Sequence, residues 1–161
     1  MSAATSGPFV PASGAVAVGS DHAGFHLKTE LVGALHELGF TVLDLGAHDT
    51  SRCDYPDLAV AVGQAVASGR AAWGLLCCGT GVGMSMTANR VPGVRAAVVS
   101  DSFSARATRQ HNDANVLCLG ERVVGFGLAR ELLAAWLSGA FEGGRHQGRI
   151  DKLHRLDAPA T

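Results

Sequence analysis

Short apolar runs alternate with segments of helical spacing along most of this chain. The runs are rich in Val, Leu, Ala and Cys, as buried strands are, and they occupy residues 15–18, 40–45, 73–78, 94–99 and 116–119. The segments between them repeat an apolar residue every three or four positions, as Leu27, Leu31 and Leu35 do. This periodicity predicts helices at 25–38, 58–67, 82–89, 102–110 and 126–137, with a basic helical segment after the last of them.

Strands that alternate with helices imply a parallel sheet with helices on both faces. We therefore predict an α/β fold, a Rossmann-like three-layer sandwich with a five-stranded parallel sheet. The length of 161 residues suits a single domain, which we assign to residues 15–156. Residues 1–14 are rich in Ser, Ala, Gly and Pro and are expected to form a disordered tail, with a flexible tail at 157–161.

Charge and composition exclude several classes of protein. The formal net charge is −1 and there is no long basic run, so nothing indicates a nucleic-acid surface or a membrane binder. No apolar segment approaches the roughly 20 residues that a membrane-spanning helix needs. The 4 cysteines lack the paired spacing of a zinc site, which favours free thiols in a reducing cytoplasm.

The third apolar run delivers Cys78 into a glycine-rich loop, Gly79-Thr80-Gly81-Val82-Gly83, which opens the next helix. Glycines let backbone N–H groups converge on an anion, and a helix N-terminus adds positive potential there. Cys78 is therefore a candidate base or nucleophile. The alternative is that it packs in the core, as cysteines at the ends of buried strands more often do. Adjacent strand residues point to opposite faces, so Cys77 is assigned to the core.

The alternating glycines of this loop also resemble the start of a dinucleotide-binding fingerprint. That fingerprint normally follows the first strand of the fold and needs a later acidic residue for the ribose. Here the loop follows the third predicted strand. A nucleotide-binding module therefore remains an alternative from a different functional class.

Ionisable residues follow two other predicted strands. Asp21 and His22 come after the first strand, and Glu121 and Arg122 come after the fifth. The carboxyl ends of parallel strands meet at one edge of a sheet, so these residues are expected to converge with Cys78 on one site. For Asp21, capping of the following helix is the alternative role.

A second set of polar residues follows helices rather than strands. His111 stands beside Asn112 at the end of a predicted helix, where it could serve in acid–base chemistry or be a solvated histidine. Arg145 and Arg149 are four residues apart, so on a helix they would share a face. Such a pair could grip one phosphate or form a solvated basic face.

These motifs occur together and in the order of one known family. They are Gly19-Ser20-Asp21-His22-Ala23-Gly24, Asp54-Tyr55-Pro56, Cys78-Gly79-Thr80-Gly81-Val82-Gly83, Ala88-Asn89, Arg109-Gln110-His111-Asn112 and Glu142-Gly143-Gly144-Arg145-His146. The set resembles ribose-5-phosphate isomerase of type B, over about residues 15–153. The resemblance implies an aldose–ketose isomerase, free of metal and cofactor, that moves a proton between C1 and C2 of a sugar phosphate through a cis-enediolate.

Under this resemblance, the glycine loop is the catalytic centre. Cys78 would be the base that shuttles the proton. The enediolate oxygen would be held by the Thr80 hydroxyl and by the N–H groups around Gly79, Gly81, Val82 and Gly83. One branch of the family replaces the cysteine with a glutamate in this loop. No acidic residue lies between Cys78 and Asn89, so the chain resembles the cysteine branch.

The resemblance also assigns the remaining candidates to the sugar and its phosphate. His111 would catalyse opening of the furanose ring. Asp21 and Tyr55 would lie near the sugar hydroxyls, and Asn112 would help to position the sugar chain. The phosphate-binding positions of the family match His22, Arg122, Arg145 and Arg149.

A homodimer with active sites shared between its subunits is a further implication, with a tetramer of such dimers as the larger option. His111, Asn112 and Arg122 would come from the partner of the subunit that donates Cys78. Ribose 5-phosphate is the expected substrate. Relatives with the same motifs act on allose 6-phosphate, galactose 6-phosphate or tetrose phosphates, and these substrates remain open.

Overall fold

A parallel sheet of 5 strands forms the centre of the protein, in the order β2-β1-β3-β5-β4. The structure is a computed structural model and describes residues 14–157. The strands are β1 (Ala15–Ser20), β2 (Thr41–Asp44), β3 (Trp73–Cys78), β4 (Ala96–Val98) and β5 (Val116–Gly120). The helices are α1 (Phe25–Glu37), α2 (Tyr55–Ala67), α3 (Val82–Ala88), α4 (Ser102–Asn112), α5 (Phe126–Leu137) and α6 (Gln147–Leu156). Apart from Gly14 and Asp157, the two predicted tails lie outside the described residues.

The two faces of the sheet carry separate apolar cores, which confirms the predicted three-layer sandwich. One core packs α1 and α5 on the sheet and contains Leu31, Leu75 and Trp136. The other packs α2 and α3 on the opposite face around Val62 and Met84. Adjacent cysteines separate as predicted, because Cys77 belongs to the first core and Cys78 to the second. Among residues 14–157, no helix is long and apolar enough to cross a membrane.

The register of the central strands aligns their carboxyl ends. Ser20 of β1 pairs with Cys77 of β3, and Cys78 pairs with Gly120 of β5. The residues that follow β1, β3 and β5 therefore emerge at one edge of the sheet. The helices run back toward the opposite edge, so the last turns of α4 and α5 lie near the strand beginnings.

Two helices differ from their predicted bounds. α2 begins at Tyr55 rather than at residue 58, since Asp54 adopts an extended conformation before it and Pro56 occupies its first turn, where a missing N–H costs nothing. α4 continues past residue 110 to Asn112. It ends there because Asp113 takes the left-handed conformation, with φ of 45°. The two edge strands, β2 and β4, are also shorter than predicted.

A buried lysine ties the loop after β2 to the sheet. Lys28 of α1 is only 2% exposed, and its Nζ donates to both carboxylate oxygens of Asp44, at 2.8 and 2.9 Å. It also donates to the carbonyl oxygen of Ala47 at 2.6 Å. A buried charge needs such partners. Lys28 therefore fixes the start of the loop that leads to α2.

We expect Leu75→Ala to lower the free energy of unfolding by about 2–5 kcal/mol, because truncation leaves a cavity in the central strand. Leu75 is 1% exposed in β3. Leu128→Ala, on the outer face of α5 and 38% exposed, is the matched control and should change stability by about 0.5 kcal/mol or less. Denaturant unfolding of both variants measures the difference. Equal losses would contradict this account of the core.

Candidate active site

The loop after β3 surrounds the sulfur of Cys78. The Sγ atom accepts a hydrogen bond from the backbone N–H of Gly81 at 3.1 Å. Gly81 takes φ of +79°, and a Cβ built on it would lie 3.0 Å from the carbonyl carbon of Leu119. A side chain is therefore excluded there by both conformation and space. The turn brings an N–H dipole to a nearly buried thiol at the carboxyl edge of the sheet.

The other buried thiols are structural. Burial raises the pKa of Cys77 and of Cys118 well above the usual cysteine value, so both stay protonated near neutral pH. Cys53 is partly exposed on the loop before α2. All four cysteines are free, as the sequence predicts. Cys78 is thus the thiol that combines the glycine loop with a position at the edge of the sheet.

Tyr55 and Thr80 border the same loop. The Tyr55 ring lies against Gly83, since a Cβ built on that glycine would be 2.8 Å from the ring. Thr80 is exposed, and its hydroxyl oxygen accepts the N–H of Val82 at 3.3 Å. Both hydroxyl-bearing side chains are therefore available to a ligand held against the loop.

Asp21 and His22 approach from the end of β1. The Asp21 carboxylate accepts the N–H groups of Ala23 and Gly24 at 2.9 and 3.1 Å, so it caps the short 3₁₀ turn His22–Gly24. The backbone N–H of Asp21 donates to the carbonyl of Cys77 at 3.3 Å, which places it beside β3. Nδ1 of His22 lies 3.2 Å from the carbonyl oxygen of Cys53. This contact orients the imidazole at the same edge.

Arg122 lies beside the loop of its own chain. Its backbone N–H donates to the carbonyl of Gly79 at 3.0 Å, and a Cβ built on Gly79 would lie 3.4 Å from its Nη1. The prediction that Arg122 stands with the partner's residues is therefore wrong. The reason is the strand register, since Cys78 pairs with Gly120 and the residues after β5 must emerge next to it.

His111 and Asn112 stand at the opposite edge of the sheet. They end α4, and three residues later the carbonyl of Asn115 accepts the N–H of Gly74 at 2.9 Å, at the beginning of β3. Four residue steps separate Gly74 from Cys78, a length of about 13 Å along the strand. One chain therefore does not bring His111 to Cys78.

A second histidine packs against His111. The rings of His111 and His146 are stacked, with centroids 4.5 Å apart and planes 10° apart. Oε2 of Glu142 lies 3.9 Å from Nε2 of His111 and 4.0 Å from Nε2 of His146. The backbone N–H of Glu142 donates to the carbonyl of Gln110 at 3.0 Å, so the segment before α6 is fixed to α4.

His146 is a site residue that the predicted set omitted, although it closes the Glu142-to-His146 motif. Burial lowers the pKa of His146 from its ordinary value, and electrostatic interactions with His111, Arg145 and Arg149 lower it further. Arg145 and Arg149 are both exposed, and both act electrostatically on this buried ring. The last turn of α4 and the start of α6 therefore form a cationic surface.

The site residues thus form two groups at opposite edges of the sheet. The carboxyl-edge group contains Asp21, His22, Tyr55, Cys78, Thr80, the loop glycines and Arg122. The amino-edge group contains His111, Asn112, Glu142, Arg145, His146 and Arg149. One group offers a thiol with hydrogen-bond donors, and the other offers imidazoles with arginines.

The family model described as Ribose/Galactose Isomerase matches residues 16–153. The chain belongs to the ribose/galactose isomerase family. Ribose-5-phosphate isomerase B of Escherichia coli (strain K12) is 49% identical over 142 residues, covering 88% of this chain and 95% of the relative. D-erythrulose-4-phosphate isomerase of Pectobacterium atrosepticum is 40% identical over 139 residues, covering 86% of this chain and 91% of that relative. This protein is therefore an isomerase.

A solved structure of the family has the same fold. Ribose-5-phosphate isomerase B of Clostridium thermocellum superposes with a TM-score of 0.88 at 47% sequence identity. The match covers 89% of this chain and 97% of that chain. Both the predicted family and the predicted fold are confirmed.

In this ribose/galactose isomerase family member, the amino-edge group includes a set of residues with metal-ligand chemistry. The ligand atoms of His111, Glu142 and His146 all lie within 4.8 Å of one another. The stacked rings are nearly parallel, so their nitrogen lone pairs do not converge on one point. Arg145 and Arg149 add positive charge that repels a divalent cation. The group suits an anionic ligand better, and the absence of a metal cofactor remains a prediction.

We expect acid to destabilise the protein partly through His146. Because its pKa is lowered in the folded state, the unfolded chain binds the proton more readily, and stability falls as pH drops through the usual histidine range near about 6.5. Denaturant unfolding at pH 7 and pH 5 should show a larger loss of stability for the wild type than for His146→Gln. Identical losses would contradict the prediction.

Proposed function

We propose that this protein interconverts ribose 5-phosphate and ribulose 5-phosphate as an aldose–ketose isomerase. The observation that carries the proposal is the hydrogen bond from the Gly81 N–H to the Cys78 sulfur, within a turn that only glycine can form. A relative named ribose-5-phosphate isomerase B is 49% identical along nearly its whole length. A thiol base next to convergent donors is what proton transfer through an oxyanion needs.

Cys78, as the thiolate, removes the proton from C2 of the open-chain aldose. The electron pair of that bond forms the C1=C2 double bond, and the aldehyde oxygen takes the negative charge of the enediolate. The loop N–H groups and the Thr80 hydroxyl stabilise this charge. The thiol then returns the proton to C1, while a proton passes from O2 to O1 and O2 becomes the ketone oxygen. No atoms are gained or lost.

Ring opening is the task of the amino-edge group. Ribose 5-phosphate closes through its C4 hydroxyl onto C1, so the furanose must open before C2 can lose its proton. His111 moves the proton from the C1 hydroxyl to the ring oxygen, since an imidazole can accept a proton at one nitrogen and donate one from the other. Arg145 and Arg149 bind the phosphate, because guanidinium groups match phosphate oxygens. His22 and Arg122 complete the phosphate contacts from the other edge.

Two subunits are needed to join these groups into one site. Cys78 and His111 of one chain are separated by at least the length of β3, so a homodimer supplies His111, Asn112, Arg145 and Arg149 from the partner. Exposed apolar side chains beside the loop support such an interface. Val82, Met86, Val98 and Phe103 are 47%, 69%, 41% and 77% exposed. A second copy of the chain would cover them.

The same chemistry on another sugar phosphate is the second candidate. The relative named D-erythrulose-4-phosphate isomerase, at 40% identity, favours it, because a tetrose phosphate would use the same thiol and loop. Allose 6-phosphate and galactose 6-phosphate are the hexose alternatives. The nucleotide-binding alternative predicts instead that nucleotide binds and that binding survives the loss of Cys78.

We expect Cys78→Ala to lower turnover of ribose 5-phosphate by about 1,000-fold, because the mutation removes the general base. The assay contains chelator and no added cofactor, and it measures both directions. Cys77→Ala is the matched control, since that thiol faces the opposite core, and it should retain activity. If only allose 6-phosphate or a tetrose phosphate is turned over, the mechanism is kept and the substrate assignment changes. Inactivity on all of them would contradict the proposal.

Mixed dimers test whether the site is shared. Cys78→Ala and His111→Ala should each be impaired alone, whereas mixing after subunit exchange should restore about a quarter of wild-type activity, because half the dimers are mixed and each has one intact site. Subunits would be exchanged by denaturation and refolding, then assayed with ribose 5-phosphate. Mixtures of two different Cys78 variants are the control. No recovery would contradict a shared site.

A further inference from the structure

The last turn of α4 holds His111 and Asn112 through a short and constrained junction. Asp113 reverses the chain with φ of 45°, and β5 begins only three residues later at Val116. The direction in which His111 points therefore depends on what fixes this junction. An aspartate in the left-handed region is held there at some cost, so its side-chain contacts matter.

Arg109 is the buried residue that fixes the junction from inside. Its side chain is 7% exposed, and its Nη1 donates to Oδ1 of Asp113 and to the carbonyl oxygen of Ala114, both at 2.8 Å. Its guanidinium carbon lies 4.1 Å from the ring centroid of Trp73 and 5.7 Å from that of Trp136. One guanidinium thus joins the end of α4 to the start of β3 and to α5.

A second arginine holds Asp113 from the other side. Nη2 of Arg95 donates to Oδ2 of Asp113 at 2.9 Å, and its Nε donates to the backbone carbonyl of Asp113 at 2.8 Å. Each carboxylate oxygen of Asp113 therefore has its own arginine. Charge-assisted hydrogen bonds of this kind are directional, so they define the backbone of the turn.

We propose that Arg109 is a positioning residue for ring opening, acting through His111. Residues 109 and 111 project about 200° apart on a helix, so fixing Arg109 in the core directs His111 outward, toward His146. Lysine cannot replace it, because an ammonium group lacks the planar fork that stacks on tryptophan while donating to two oxygens. This inference rests on the proposed function of His111.

The two substrates separate ring opening from proton transfer. Ribulose 5-phosphate cannot close to a five-membered ring, because its C5 oxygen carries the phosphate. A variant defective only in ring opening should therefore lose turnover number with saturating ribose 5-phosphate and keep it with saturating ribulose 5-phosphate. Turnover numbers are compared because the equilibrium constant ties together the kcat/KM values of the two directions.

The test measures both turnover numbers for Arg109→Lys, Arg109→Met and Asp113→Asn, with His111→Ala as the reference. We expect the turnover number of each variant with ribose 5-phosphate to fall by about 10- to 100-fold. A displacement of His111 by about 1 Å is enough to cause a loss of this size. The turnover numbers of the Arg109 and Asp113 variants with ribulose 5-phosphate should stay close to the wild-type value. Asparagine tolerates the left-handed backbone, so Asp113→Asn keeps the test decisive if an Arg109 variant fails to fold. Arg109→Met should add no further loss to His111→Ala.

Arg130→Met is the matched control. Arg130 is also held by two carboxylates, Glu30 and Glu37, but it joins α1 to α5 away from both site groups. It should leave the ratio of the two turnover numbers unchanged. Equal losses in both directions for the Arg109 and Asp113 variants, or no loss, would overturn the inference. A His111→Ala variant that slows both directions equally would instead overturn the ring-opening role of His111, and the inference with it.

Discussion

A sheet in which all strands run in one direction separates strand ends from helix ends. In this protein every strand ending meets at the edge that carries Cys78, and the last turn of α4 arrives at the other edge. The register that pairs Cys78 with Gly120 then fixes which neighbours the thiol receives. The proposal that two subunits share one site follows from this separation, because it places the thiol and the imidazole at different edges.

The chemistry of the two edges is complementary rather than redundant. The carboxyl edge presents backbone donors and a thiol in a turn that excludes side chains, which suits a small charge developing on one oxygen. The amino edge presents arginines and stacked imidazoles, which suit a permanent dianion and a proton in transit. A buried His146 stacked on His111 fits this division, since burial lowers its pKa and so disfavours a further charge at this position.

Much of this arrangement could be predicted from the sequence. The periodicity of strands and helices located the sheet. The alternating direction of side chains along a strand correctly placed Cys77 and Cys78 on opposite faces. The position of Arg122 could not be read in this way, because it depends on the register between β3 and β5. The start of α2 was not predicted, because the segment there is polar and contains a proline, as loops often do. The extended conformation of Asp54, which marks the residue before the helix, is visible only in the structure. The stack of His111 on His146 and the contacts of Arg109 with the two tryptophans join residues distant in sequence, and spacing carries no signal for them.

The arginine beneath the last turn of α4 also has an optical consequence. Trp73 and Trp136 are the only 2 tryptophans of the chain, and both rings lie against the guanidinium of Arg109. Excitation of tryptophan therefore samples a single neighbourhood, the one that anchors His111. We therefore expect the tryptophan emission of the intact protein to report on the surroundings of the amino-edge group without a label.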